Sequence, residues 1–402
     1  MKLANRLTNL PPYPFARWAS LVNAARANGL DIVRLDIGSP DLPPEGDVVE
    51  ALYHSARQPD SHGYPGYRGI PELRQAVADY YGRRFGVELD ADTQIVPLIG
   101  SKEGIVNLAL ACIDPGDLVL VPDPGYAPYT MGTILAGGEA VTFPLLVEND
   151  FLPDLDAIPA DVADRAVLIW LNYPNNPTGA VAGLDFFARA VDFCRKHSIL
   201  LCHDAPYCDV TYGGYVAPSL LQVPGAMDVA IEFNSLSKTA NMAGWRIGMV
   251  VGNAEALAAL AQVKSNVDSG IFRPLQEAAV QALSASPEWL AARNAIYEER
   301  VGIIVEALNA AGMETARPRA ALYVWARVPA SWDSETFAQR LLERTGVAIA
   351  PGPFFGPAGE GYVRLSVTAP TERVREAMAR LSQFVLGQWS GLACSSPVAA
   401  AT

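Results

Sequence analysis

A lysine, two serines and an arginine stand together in the stretch Asn234-Ser235-Leu236-Ser237-Lys238-Thr239-Ala240-Asn241-Met242-Ala243-Gly244-Trp245-Arg246-Ile247-Gly248. It lies between two apolar runs, Asp228–Phe233 and Ile247–Val251, that read as buried strands. A lysine at such a strand end can form a Schiff base, and an arginine eight residues on can hold an anionic phosphate beside it. Taken alone, Lys and Arg fit a solvated loop better. Other strand ends add to the pattern. In open α/β sheets ligands bind beyond the carboxyl ends of strands. Asn172-Tyr-Pro-Asn-Asn-Pro-Thr-Gly179 follows a predicted strand at 167–171, and His203-Asp204-Ala-Pro-Tyr207 follows one at 199–203. With the lysine stretch these clusters are expected to converge on one crevice. Asp204 could keep a ring nitrogen protonated, or simply cap a helix. Ser101, in Gly100-Ser101-Lys102-Glu103-Gly104, reads as the N-cap of an apolar helix whose free N–H groups attract a phosphate. Tyr126, in Asp123-Pro-Gly-Tyr126-Ala-Pro-Tyr129, follows the strand 118–121 and either packs in the core or stacks on a ligand. Arg364 lies within the predicted strand Tyr362–Val367, where its fork suits a carboxylate unless it faces solvent from an edge.

The string Ser-x-Ser-Lys-Thr-x-x-Met-x-Gly-Trp-Arg-Ile-Gly closely resembles the lysine motif of the class I/II aminotransferases, which use pyridoxal 5′-phosphate (PLP). The resemblance runs from about residue 10 to residue 387. It implies an α/β fold with a large domain, built on a mostly parallel seven-stranded sheet, and a smaller α+β domain. It implies that Lys238 carries PLP and moves the reacting proton, with Asp204 and Tyr207 as the other catalytic residues. Asp204 would face the pyridine nitrogen, while Tyr207 and Asn176 would donate to the phenolic oxygen. Ser235, Arg246, Ser101 and Lys102 would hold the phosphate, with Ser237 also at the cofactor, and Tyr126 would stack on the ring. Arg364 and the backbone of Gly38 would take the substrate α-carboxylate, with Tyr126 and Asn176 also facing substrate. Tyr64, in Gly63-Tyr64-Pro-Gly-Tyr-Arg-Gly69, would reach the phosphate of a neighbouring subunit, which makes the active unit a homodimer with shared sites.

Four stretches resemble a narrower group, the LL-diaminopimelate aminotransferases: Leu10-Pro-Pro-Tyr13, Ile99–Gly104, Lys264-Ser-Asn-Val-Asp-Ser-Gly-Ile-Phe272 and Tyr323-Val-Trp-Ala326. This resemblance implies that Tyr13, Lys102 and, from the neighbouring subunit, Asn266 meet the far end of LL-2,6-diaminopimelate, with 2-oxoglutarate as acceptor, in lysine biosynthesis. Rival readings share the cofactor residues: a broad aspartate, alanine or aromatic aminotransferase, a PLP lyase of C–S bonds, or an aminocyclopropane-carboxylate synthase. A ligand-sensing domain of a transcription regulator would need a basic face. The net charge of −13, with no basic cluster, argues against a nucleic-acid partner.

The elements that position these residues follow from periodicity. Half the residues of the 402-residue chain are hydrophobic, enough to bury two domains of ordinary size. Strands are predicted at 94–99, 118–121, 139–143, 167–171, 199–203, 229–233 and 247–251, with helices between them at 71–85, 102–112, 184–197 and 254–264. Alternation of this kind indicates a mainly parallel sheet covered on both faces. Residues 1–45 read as an arm joining the small domain, with a helix at 15–28 and a strand at Ile32–Ile37. Residues 46–285 form the large domain, 286–388 the small one, and 389–402 a frayed tail. Helices at 287–311, 334–345 and 371–386 and strands at 321–328 and 362–367 fill the small domain. The five cysteines form no C-x-x-C pair and the four histidines show no ligand spacing, so buried thiols and no metal are expected. No signal peptide or membrane span is recognisable, so the expected location is the cytoplasm.

Overall fold

The computed structural model describes residues 3–8 and 10–387; the predicted tail lies outside the described residues. Twelve strands occur among the described residues. They are β1 (Val33–Arg34), β2 (Ile95–Leu98), β3 (Leu118–Asp123), β4 (Glu139–Pro144), β5 (Ala166–Leu171) and β6 (Leu200–Asp204). They continue as β7 (Ala230–Ser235), β8 (Gly248–Gly252), β9 (Tyr323–Arg327), β10 (Val347–Ala348), β11 (Ala350–Pro351) and β12 (Tyr362–Ser366). The described residues divide into two compact units, one of residues up to 11 with 39–295 and 318–321, the other of 12–38, 296–317 and 322–387. The division falls within the helix Pro287–Ala310.

The first unit is built on a seven-stranded sheet of order β2-β8-β7-β6-β5-β3-β4. β4, β3, β5, β6 and β7 run parallel, and β8 is antiparallel to both β7 and β2. Successive side chains on a strand point to opposite faces. Leu118 and Leu120 therefore enter one apolar core and Val119 and Val121 another; Ile169 and Leu171 part from Leu168 and Trp170 in the same way. Burial on both faces is why Leu118–Val121 and Ala166–Leu171 are unbroken apolar runs.

Direction decides which ends meet. β3, β5, β6 and β7 finish at one edge, and β2, two antiparallel steps from β7, finishes there too. The register Leu98↔Gly248↔Ser235 sets the Ser101 turn beside the lysine segment. Gly248 permits this approach: a Cβ there would lie 2.8 Å from the Asn234 carbonyl oxygen.

The second unit holds an antiparallel sheet, β11-β12-β9, and the parallel pair β1-β10. The predicted strand Ile32–Ile37 is corrected to the two residues of β1, because its partner β10 offers only Val347 and Ala348. The arm is pinned within this unit by Asp31, which pairs with Arg373 at 2.7 Å and Arg380 at 2.6 Å. Those two guanidiniums hold the Asp31 carboxyl below its ordinary range.

Candidate active site

Asp204 is the last residue of β6 and is buried. Asn172, just past β5, donates its amide to the Asp204 carbonyl at 2.6 Å and accepts the Asn176 N–H at 2.8 Å. The Asn-Pro loop is thereby fixed to the end of β6, and Asn176 is itself buried. Tyr129 donates its hydroxyl to Asp204 Oδ2 at 2.8 Å. Its ring is held flat on Trp170, with centroids 4.7 Å apart. Asp204 Oδ1 is buried without a hydrogen-bond partner. Burial pushes the Asp204 carboxyl up to about 6, opposed by the Tyr129 hydrogen bond and by the charges of His203 and Lys238. Beneath it His203 Nδ1 meets Glu232 Oε2 at 2.8 Å, and Glu232 also accepts from Tyr81, Ser219 and the Leu220 N–H. Both oxygens of that second buried carboxylate are bonded, so of the two carboxylates it is Asp204 that keeps an open acceptor.

Lys238 is expected in a loop; it lies instead in a one-turn helix, Leu236–Thr239, continuing directly from β7. Asn234 accepts the N–H of Ser235 at 2.7 Å, and Ser235 caps the turn by accepting the Ser237 N–H. Leu236, Ala240 and Met242 anchor the segment in the core, so it is no solvated loop. Lys238 Nζ stands 5.9 Å from the ring centroid of buried Tyr207. Arg293, also buried, donates to the carbonyls of Lys238 at 3.1 Å and Asp209 at 2.6 Å, and to that of Thr239. It ties the lysine turn to the turn after β6.

The expected Ser101 N-cap is also corrected. Gly100 takes the cap position and the helix Ser101–Cys112 begins at Ser101. Gly100 has a φ of 75°, and a Cβ on it would lie 2.2 Å from Arg246 Nη2. Only glycine lets the guanidinium close over the helix start. Arg246 also donates to Ser237 Oγ at 3.2 Å. Partial burial and the Arg246 cation push the Lys102 ammonium below its ordinary value. Arg246 and Lys102 beside the start of this helix, with the hydroxyls of Ser101, Ser235 and Ser237, are of a kind suited to an anion. Tyr126 is half-buried at the same edge, its ring edge-on to Tyr129 at 5.7 Å.

In the second unit Arg364, on the central strand β12, is buried rather than facing solvent from an edge. Its Nη2 donates to the Asp36 carbonyl at 2.6 Å, and its guanidinium lies 4.1 Å from the Tyr323 ring centroid and 4.5 Å from that of Phe355. A Cβ on Gly38 would fall 2.0 Å from the Tyr323 hydroxyl, so bare backbone faces this group. Burial raises the Tyr13 phenol's pKa, and the nearby Arg364 charge opposes that rise. The group offers a planar cation in an aromatic surround, suited to a carboxylate.

Tyr64 and Asn266 are not drawn into the Asp204 group of their own chain. Tyr64 is 91% exposed, and exposed Asn266 donates to the Gln262 carbonyl of its own helix at 2.9 Å. Three residues of consequence escaped the sequence reading. Tyr129 and Tyr323 were visible only as members of quoted strings, and Arg293 gave no signal at all.

Chemically, the first unit presents a buried carboxylate with an open oxygen, a lysine beside it and an anion site, all at one sheet edge. A flat ring with a basic nitrogen and a phosphate fits this set. Residues 30–381 match the family described as aminotransferase class I and II. The chain is 51% identical over 388 residues to an LL-diaminopimelate aminotransferase of Moorella thermoacetica, covering 96% of this chain and 99% of that one. It is 52% identical to another of that name from Desulforudis audaxviator, covering 94% and 96%. Among solved structures, substrate-bound BacF from Bacillus subtilis superposes with a TM-score of 0.91 at 36% identity, covering 96% of this chain and 98% of the other. The expected architecture is therefore the one found, and the chain is an enzyme belonging to the class I and II aminotransferases.

Proposed function

We propose that the chain is a PLP-dependent aminotransferase whose amino donor is LL-2,6-diaminopimelate and whose acceptor is 2-oxoglutarate, working in lysine biosynthesis as a cytoplasmic homodimer. The observation that carries the cofactor reading is Asp204 Oδ1, a buried acceptor with no partner beside Lys238. A protonated pyridine nitrogen would satisfy it and stabilise the charged carboxylate. When bound, PLP supplies an electron sink for the bond at the substrate Cα.

The chain's own residues do the rest. Asp204, oriented by Tyr129, keeps the ring nitrogen charged. Tyr207 and Asn176 donate to the phenolic oxygen, and Tyr126 covers the ring. Ser101, Lys102, Ser235, Ser237 and Arg246 hold the phosphate. Lys238 Nζ would act as the general base that takes the proton from the substrate Cα and, once protonated, as the general acid that gives it up again. Arg364 forks the α-carboxylate against the Gly38 backbone.

The choice of donor is supported by the names of the relatives, which match at about half identity across almost their whole length. The far end of diaminopimelate is zwitterionic and needs polar partners of its own. Lys102, Tyr13 and Asn266 of the partner subunit are the groups we assign to it. The test compares kcat/KM for LL-diaminopimelate with aspartate, alanine and phenylalanine, all with 2-oxoglutarate. Diaminopimelate should lead by about 10⁴-fold, as sites that hydrogen-bond a far group can achieve. A simple amino acid that equals it would replace this reading with a broad aminotransferase.

A further inference from the structure

Lys264 is buried at 1% exposure, near the end of the helix Ala254–Val267, and plays no part in the chemistry above. Its Nζ meets Asp268 Oδ2 at 2.5 Å and Glu103 Oε1 at 3.5 Å. A buried ammonium costs stability unless it is paired, and an apolar side chain of similar length would fill the same space without that cost. What the charge adds is a fixed relation between its two partners.

Both partners hold functional turns. Glu103, third residue of the Ser101–Cys112 helix, accepts the Ile99 N–H at 3.0 Å through Oε2, and its Oε1 also accepts from Asn107. It therefore sets the backbone that enters Gly100 and Ser101. Asp268 turns its other oxygen to the Gly270 N–H at 2.8 Å. Gly270 has a φ of 95°, and a Cβ there would lie 2.2 Å from the Gly66 carbonyl oxygen. Buried Gln276 bridges the same two segments, accepting the Ile70 N–H at 2.7 Å and donating to the Ile271 carbonyl at 2.6 Å. The loop after Asn266 and the loop that carries Tyr64 are thus packed as one body, and Asp268 is its link to Lys264.

We propose that Lys264 is a positioning residue: its ammonium, shared by Glu103 and Asp268, holds the phosphate turn at Ser101 in register with the Asn266 and Tyr64 loops. One buried contact would then serve both cofactor retention and substrate affinity. The proposal rests on the reading that the Ser101 turn receives the PLP phosphate.

The test measures the affinity of cofactor-depleted protein for added PLP by equilibrium dialysis, alongside kcat and KM for the amino donor at saturating PLP. Wild-type protein that takes up no PLP overturns the cofactor reading, and this proposal with it. If wild type binds PLP, Lys264→Met should bind it about tenfold more weakly and show a KM raised about fivefold, with kcat within about threefold. A dissociation constant within about twofold of wild type overturns the positioning role alone, whatever the loss in melting temperature. Should Lys264→Met not fold, Glu103→Gln carries the same test, because it removes one partner's charge and leaves the Lys264–Asp268 pair. It should weaken PLP binding by about fivefold, and a change under about twofold sinks the proposal.

Discussion

Tyr129 donates its hydroxyl to Asp204 Oδ2 at 2.8 Å, and this leaves Oδ1 as the buried oxygen that a ligand must satisfy. The hydroxyl fixes which oxygen is open and favours the charged carboxylate. A hydrogen bond to a charged group contributes about 1.5–3 kcal/mol. Tyr129→Phe should therefore lift the Asp204 carboxyl further above about 6 and weaken PLP binding by roughly tenfold or more. Equilibrium dialysis of the depleted protein checks this. Unchanged affinity would mean that Tyr129 only packs against Trp170.

The raised carboxyl has a consequence for stability. Asp204 titrates at about 6 in the folded chain against 3.8 for the ordinary group, so the folded chain binds this proton more tightly. Its contribution is full below the lower value and is lost as pH rises through the upper one, amounting to about 3 kcal/mol. In cofactor-free protein the melting temperature of wild type minus that of Asp204→Asn should fall between about pH 4 and pH 7. With PLP present the fall should vanish, because a cation beside the carboxylate favours its charged form. A difference that stays flat without cofactor would show that Asp204 is not perturbed.

Much of this arrangement was legible in the chain. The strands β3 and β5 announce themselves because both faces are buried and the runs Leu118–Val121 and Ala166–Leu171 are apolar. The helix Pro71–Phe85 is bounded by a proline at its start and by Gly86 in the left-handed region. Contacts distant in sequence were not legible. Ser101 has the better capping side chain, yet Gly100 takes the cap because Arg246, far along the chain, occupies the space above it. Tyr126 and Tyr129 are alike as letters; only the stacking on Trp170 shows that Tyr129 is the one aimed at Asp204. Arg293 sits in a long helix with no strand end near it in sequence, and its distant partners are backbone carbonyls that no residue pattern records.

Lys238 is the residue on which the cofactor assignment stands. Its place one turn beyond β7, within reach of Tyr207 and of the Asp204 field, is suited to a covalent hold on PLP. Lys238→Ala should lose the visible absorbance of bound cofactor, give no borohydride-stable adduct and lose at least about 10³-fold in kcat. A variant that keeps its adduct and its rate would place the reactive lysine elsewhere.

Tyr64 and Asn266 are exposed on one body of packed loops, yet the family resemblance puts both at an active site. A second copy of the chain would reconcile these facts, if each subunit lends its loops to the other's Lys238. Two variants separate this from a self-contained site. Tyr64→Phe/Asn266→Ala spoils only what a subunit lends, and Lys238→Ala spoils only what it keeps. In a mixed dimer, one site joins an intact lysine to intact loops and the other carries both lesions. Random exchange at equal amounts makes about half the dimers mixed, each with one good site of two, so about a quarter of wild-type activity should return. Activity is measured before and after mixing, with exchange followed by differently tagged subunits. Proven exchange without recovery would mean that each chain serves its own site.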